Sequence, residues 1–262
     1  MEQTDTSRGE VLAASDEQPL APLLAEPDQW ALFLDIDGTL VDLAETPDSV
    51  VVEPGLTDTL QALSHRLGGA LALVTGRALP YADQLLQPLA LPIAGLHGAE
   101  RRRADGSVDA VTPEPSFVTL KRSLERVTSD WDGVIIEDKG GAVAAHFRQA
   151  PERQASLEAV MAAALSEAGP DYSLQRGKMV LEIRPARANK GSAVEAFLSE
   201  APFSGRKPIA IGDDLTDEAM FRFANEAGGL SIHIGEAADT AAQFTLPSPD
   251  ALRQALRRIA TE

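Results

Sequence analysis

Two carboxylates, Asp35 and Asp37 in the run Asp35-Ile36-Asp37-Gly38-Thr39, follow directly on the apolar stretch Ala31-Leu32-Phe33-Leu34. Like charges at 4 Å repel by about 1 kcal/mol in water and about 4 kcal/mol at an effective dielectric of 20. No structural need puts them there, and a cation relieves the repulsion. A second acidic strand end lies far down the chain, where Ile209-Ala210-Ile211 runs into Gly212-Asp213-Asp214-Leu215-Thr216-Asp217-Glu218. Helix capping accounts for one or two of these acids, but not for the whole group beside another paired-acid turn. Oxygen donors in small number suit Mg²⁺, which keeps waters and binds one or two carboxylates together with a phosphate.

Two further motifs supply what a phosphate requires. Thr75-Gly76 offers a hydroxyl and an unobstructed backbone N–H, and Asn189-Lys190-Gly191 puts a lysine at a helix start, where N–H groups already favour anions. Each is weak alone. Together with the acidic strand ends they make one candidate site for a phosphate and a hard cation.

The elements that must position these residues read as a parallel sheet. The run Ala31–Leu34 is apolar throughout, as in a strand buried on both faces. A helix near 55–67, a strand at 70–74 ending in Thr75-Gly76-Arg77, a helix at 78–87 and a strand through Ile93 follow. Strand alternating with helix predicts right-handed parallel crossovers. After residue 100 the pattern changes. Asp105-Gly106 marks a hairpin, 116–129 a helix, 133–138 with 142–148 a strand pair, 152–168 a helix and 172–176 with 179–184 a second pair. From Asn189 the first pattern resumes: helix 190–200, strand 208–211, helix 214–226, strands at 230–234 and 243–246, helix 249–260. The expected fold is α/β, a doubly wound Rossmann-like parallel-sheet core with an inserted α+β cap. The core takes residues 30–112 and 186–262, and the cap 113–185.

Within the cap, strand alternation sorts side chains by face. Met179, Leu181 and Ile183 share one face, and Val180, Glu182 and Arg184 the other. Val143, Ala145 and Phe147 oppose Ala144, His146 and Arg148, and Glu137 and Lys139 fall together. One face packs on helices. The other is either a solvated surface or a hydrogen-bonding surface for a polyhydroxyl ligand.

Composition narrows the classes. The 262 residues contain no cysteine, which excludes a disulfide scaffold, Cys-ligated metal and thiol catalysis and fits a reducing, cytoplasmic setting. A net charge of −17 argues against nucleic acid and anionic lipid, and no apolar run approaches the roughly 20 residues of a membrane span. Residues 1–29 carry Glu2, Asp5, Glu10, Asp16, Glu17, Glu26 and Asp28 against Arg8, with Pro19, Pro22 and Pro27 between them. The stretch reads as an acidic, flexible tail and as neither a secretory signal nor a transit peptide.

The four motifs resemble the haloacid dehalogenase superfamily of phosphatases, over residues 30–262. The stretches Gly95-Leu96-His97-Gly98-Ala99-Glu100, Glu137-Asp138-Lys139-Gly140, Gly177 through Pro185 and Gly212 through Glu218 resemble, within it, the trehalose-6-phosphate phosphatases. The resemblance implies Asp35 as nucleophile and Asp37 as general acid and base. It implies Mg²⁺ on Asp35, the Asp37 carbonyl and Asp213, with Asp214 and Asp217 holding metal waters and Lys190 in place. Thr75, Gly76 and Lys190 would bind the phosphoryl group. Arg77, His97, Glu137, Lys139, His146, Arg148, Lys178, Glu182 and Arg184 become candidates for sugar contacts. The implied partner is a small sugar phosphate, with the chain a monomer or small homo-oligomer. A phosphatase for a sucrose or mannosylglycerate phosphate, a phosphomutase and a non-catalytic sugar-phosphate sensor remain as alternatives.

Overall fold

The computed structural model describes residues 18–44, 49–110, 113–177, 179–236 and 239–262. The chain enters through a 3-10 turn at Gln18–Leu20 and a short helix α1 (Pro22–Ala25). The core then follows in order: β1 (Trp30–Leu34), α2 (Leu56–Arg66), β2 (Leu71–Val74), α3 (Leu79–Leu86), β3 (Ile93–Gly95), β4 (Glu100–Arg102) and β5 (Val108–Ala110). Next come α4 (Pro115–Val127), β6 (Ile135–Asp138), β7 (Val143–His146), α5 (Gln154–Ala168), β8 (Tyr172–Gly177) and β9 (Val180–Pro185). The chain returns through α6 (Lys190–Leu198), β10 (Lys207–Gly212), α7 (Glu218–Glu226), β11 (Leu230–Ile234), β12 (Phe244–Leu246) and α8 (Pro249–Thr261).

The strands form two sheets. The larger runs β12-β11-β10-β1-β2-β3-β4-β5. Its pairs from β12 to β3 are parallel, and the β4–β5 hairpin at Asp105-Gly106 adds an antiparallel edge. From β1 the chain winds outward through β2 and β3, then returns to β10 on the other side of β1. That reversal is a topological switch point, where the carboxyl ends of neighbouring strands leave a crevice. Asp35 stands at its centre because it directly follows β1. The smaller sheet, β6-β7-β9-β8, is antiparallel throughout.

Each sheet has its own core. β1 is buried along its whole length, as expected of a strand covered by helices on both faces. Phe33 lies against Phe197 and Phe203, with ring centroids 6.1 and 5.6 Å away. In the smaller sheet Val143, Ala145, Leu181 and Ile183 face α4 and α5 through Phe117, Leu120, Leu124, Leu157 and Met161. This is the apolar face that alternation picks out. Among the described residues, no helix is long and apolar enough to cross a membrane.

The segment read as a tail over 1–29 needs correction. Leu20 and Leu23 are fully buried in the main core, Leu24 packs against it, and Arg206 Nη1 donates to the carbonyls of Pro27 and Trp30 at 2.8 and 3.0 Å. Leu20, Leu23 and Leu24 stand at i, i+3, i+4, a helical face that the surrounding acids and prolines mask in composition. Residues 1–17 lie outside the described residues. Leu23→Ala is expected to lower the unfolding free energy by about 2–5 kcal/mol, the usual cost of emptying a buried leucine site, measured by urea denaturation. A loss below about 0.5 kcal/mol, the scale of an ordinary surface change, would return this segment to unpacked chain.

Candidate active site

Asp35 continues β1 for one more residue, its N–H donating to Ile211 O at 2.9 Å, and its side chain is almost wholly buried. Gly38 follows with φ +80°, and a Cβ there would lie 2.1 Å from Asp213 Oδ2. Only glycine allows the β1 loop and the β10 end to approach this closely. Thr39 Oγ1 then donates to Asp213 Oδ1 at 3.3 Å.

A buried lysine ties the cluster together. Lys190 opens α6, whose N-terminus is capped by Asn189 Oδ1 accepting from Ser192 N. Its Nζ meets Asp35 Oδ1 at 2.8 Å and Asp217 Oδ1 at 2.6 Å, and the residue is 2% exposed. The other oxygen of Asp217 accepts from the N–H groups of Asp213 and Asp214, each at 3.0 Å. Burial opposes the Lys190 charge, yet Asp217 and Asp35 hold its pKa above the ordinary lysine value. Burial drives the Asp35 carboxyl well above its usual range; Lys190 pulls against that, and Asp217 and Asp213 add to it. Burial and then Asp217 push Asp213 up to about 7.

Oxygens of Asp35, Asp213 and Asp217 all lie within 4.8 Å of one another. Three carboxyl groups face one ammonium, two of them pushed up by burial and by their acidic neighbours, and the donor set is all oxygen, which fits a hard divalent cation. The oxygens of Asp217 already serve Lys190 and two backbone amides. That leaves Asp35 and Asp213 as the carboxylates able to ligate. Asp214 is exposed and accepts from Leu215 N at the start of the 3-10 turn Leu215–Asp217.

The end of β2 forms the next wall. Thr75 is fully buried, and its hydroxyl accepts from Arg77 N at 3.1 Å. A Cβ on Gly76 would lie 2.8 Å from the His97 ring, so the ring lies directly over this glycine. Leu96 and His97 adopt left-handed φ of 50° and 56°, a strained conformation for side-chain-bearing residues. Their N–H groups donate to Arg77 O and Thr75 O at 3.0 and 2.9 Å, which holds the turn in place. The Arg77 guanidinium donates through Nε and Nη2 to the two Asp37 oxygens, both at 2.7 Å.

The smaller sheet closes over this floor. Register lines up Glu137, Ala144, Glu182 and Gln175 across its four strands, a row on the face opposite its hydrophobic core. Lys139 Nζ donates to Glu182 Oε2 at 3.0 Å and to Gly76 O at 3.3 Å, bridging cap and core. Arg148 Nη1 makes a second bridge, to Ala44 O at 2.8 Å. His146 Nε2 pairs with Glu137 Oε2 at 2.8 Å. Between the two sheets lies a cavity of about 780 Å³.

A family model described as trehalose-phosphatase matches residues 33–250. The chain belongs to that family. It is 59% identical over 249 residues to a probable trehalose-phosphate phosphatase of Sinorhizobium fredii, covering 95% of this chain and 94% of that one. It is 40% identical to a trehalose-6-phosphate phosphatase of Escherichia coli K12, covering 87% of each. A solved trehalose-6-phosphate phosphatase related protein superposes with a TM-score of 0.71 at 28% identity, over 88% of this chain and 97% of that one.

In this trehalose-phosphatase the cavity gathers most of the residues singled out from sequence. Asp35, Asp37, Gly76, Arg77, His97, Glu137, Lys139, His146, Arg148, Glu182, Lys190, Asp213 and Asp214 all line it. Thr75 and Asp217 do not. They sit one layer beneath, ordering the β2 end and Lys190. Arg184 departs from expectation as well. It is not among the residues that line the cavity, because its guanidinium is taken up by Ala188 O at 2.6 Å, in the connection to α6, and by Gln175 Oε1 at 3.1 Å. Lys178 lies outside the described residues. Sequence reasoning missed Gln175, although its pairing opposite Glu182 follows from the β8–β9 hairpin. It also missed Tyr81, Leu43, Val50 and Ile135, which line the cavity but carry no polar motif.

Glu182 makes the site testable by pH. Burial alone would raise its carboxyl, but Lys139 and His97 overrule that and hold it down, from the usual 4.5 to about 2. A folded-state value below the unfolded one stabilises fully above about pH 4.5, and that contribution fades as pH falls toward 2. The stability advantage of the parent chain over Glu182→Gln should therefore be largest near neutrality and shrink between about pH 5 and pH 2, measured by urea unfolding at each pH. A gap that stays constant to pH 3 would contradict the pairing.

Proposed function

We propose that this chain hydrolyses trehalose 6-phosphate to trehalose and phosphate through an aspartyl-phosphate on Asp35. The carrying observation is Lys190, buried at the cavity floor and shared between Asp35 and Asp217 beside Asp213. It fixes one Asp35 oxygen and leaves the other to attack.

In the first half-reaction the Asp35 carboxylate attacks phosphorus as the P–O6 bond breaks, and the Asp37 carboxyl gives its proton to the departing O6. In the second, water attacks phosphorus, its proton goes to Asp37, and the P–Oδ bond to Asp35 breaks to release phosphate. Lys190 and the Gly76 N–H hold the transferring oxygens, where positioning and charge stabilisation dominate. Asp35, the Asp37 carbonyl and Asp213 would hold Mg²⁺, which offsets the repulsion between an anionic nucleophile and an anionic phosphate.

The cap supports a polyhydroxyl substrate. Glu182 Oε1 and His97 Nδ1 are buried without a hydrogen-bond partner among the described residues, and such atoms call for one. Lys139 and Glu137 stand beside them. The cavity volume falls within the roughly 300–1,000 Å³ of pockets that bury ligands of drug size, which suits a disaccharide monophosphate. Contacts from the cap to Gly76 and Ala44 hold the polar face of the cap over the acidic cluster.

Phosphate release should be fast on trehalose 6-phosphate and slow on glucose 6-phosphate and sucrose 6-phosphate at equal concentration; comparable rates on all three would overturn the substrate assignment. EDTA should silence the enzyme and Mg²⁺ restore it. Asp35→Asn should lower turnover by at least about 10³-fold, the scale seen when a nucleophile is removed, while trehalose 6-phosphate still protects the variant against thermal unfolding.

A further inference from the structure

Arg77 is a natural candidate for a sugar contact, yet its side chain is committed elsewhere. Its Nε and Nη2 take both oxygens of Asp37 at 2.7 Å in a parallel two-bond fork. The guanidinium is 13% exposed, against 31% for the Asp37 side chain, so the arginine is the more fixed member. Its backbone is held on both sides: N–H to Thr75 Oγ1 at 3.1 Å and C=O from Leu96 N at 3.0 Å. A rigid path therefore leads from the buried end of β2 through Arg77 to a partly exposed carboxylate on the otherwise buried loop after β1.

We propose that Arg77 is a positioning residue for acid–base catalysis, fixing the Asp37 carboxyl in the orientation that passes a proton to the departing sugar oxygen. The inference rests on the assignment of Asp37 as general acid made above. A planar fork sets both the place and the plane of a carboxylate, which a point charge on a flexible stem does not. A protonated carboxyl keeps acceptor capacity for one of the two bonds, so Arg77 can stay on Asp37 through both half-reactions. Proton transfer requires heavy atoms at about 2.6–3.2 Å, and a 1 Å misplacement can cost about 10²-fold.

The experiment compares two leaving groups. Trehalose 6-phosphate expels an alkoxide that needs a proton, and p-nitrophenyl phosphate expels a phenolate that does not. The readout is the ratio of kcat/KM on the two substrates, which reports on formation of the aspartyl-phosphate and cancels any loss of folded enzyme. Asp37→Asn should lower that ratio by about 10²–10⁴-fold, the range of general acid catalysis. Arg77→Ala should lower it by about 10–100-fold. In the double variant Arg77→Ala/Asp37→Asn the ratio should match that of Asp37→Asn within about threefold, because Arg77 acts through Asp37. Additive losses in the double variant would assign Arg77 to direct sugar contact, and an unchanged ratio in Arg77→Ala would leave it no part in proton transfer; either overturns the proposal while Asp37 keeps its role. An unchanged ratio in Asp37→Asn would instead remove the general acid, and the positioning role with it.

Discussion

A lysine ammonium with 2% of the residue exposed cannot stay charged without partners, because the cost of removing an ion from water is several kcal/mol even after relaxation. Lys190 finds two, Asp35 and Asp217, and each comes from a different part of the chain. Its position at the head of α6 therefore fixes the end of β1 and the turn after β10 relative to one another. The same contact leaves Asp35 with one oxygen facing the cavity and turns Asp217 into a support. Removing either carboxylate would leave the buried ammonium with a single anionic partner. The rest of the site, the glycine at position 38 included, is arranged around this pairing.

Topology explains why such a cluster can exist. β1 lies between β10 and β2 in the large sheet, so three strand ends open side by side at the point where the winding reverses. The acids come from two of them and the Thr75-Gly76 turn from the third. The strain at Leu96 and His97 belongs to the same geometry. The turn must bring the His97 ring over Gly76 and still return its N–H groups to the β2 end, and the left-handed backbone meets both requirements at a cost of order 1–3 kcal/mol per residue.

The cap works by the period of a strand. Successive residues alternate faces, so one surface of β6, β7 and β9 packs on α4 and α5 while the other carries Glu137, His146 and Glu182. Two cap cations, Lys139 and Arg148, accept the task of closure by donating to core carbonyls. Lys139 spans the junction, joining the Glu182 carboxylate to the backbone of Gly76 at the end of β2. The polar face of the cap and its contact with the core are thus joined through one side chain.

Local chemistry determined much of this in the sequence. Apolar runs of strand length, helical spacing of leucines and Gly-containing turns specify elements through short-range sterics and burial, and they place the strands within a residue or two of their observed ends, except β4 and β5, of which only the turn at Asp105-Gly106 is legible. The acids at 35, 37, 213 and 217 and the lysine at 190 are legible because charges at strand ends and helix starts are expensive without a purpose. Tertiary structure alone decided which of them touch. That Asp217 lies beneath the cavity, that Arg77 grips Asp37, that Arg184 is taken up by Ala188 and Gln175, and that Leu20 and Leu23 draw an acidic segment into the core all depend on how the side chains pack in the folded chain. Spacing along a sequence constrains neighbours a few residues apart; distances between remote segments are set by packing, which no local pattern encodes.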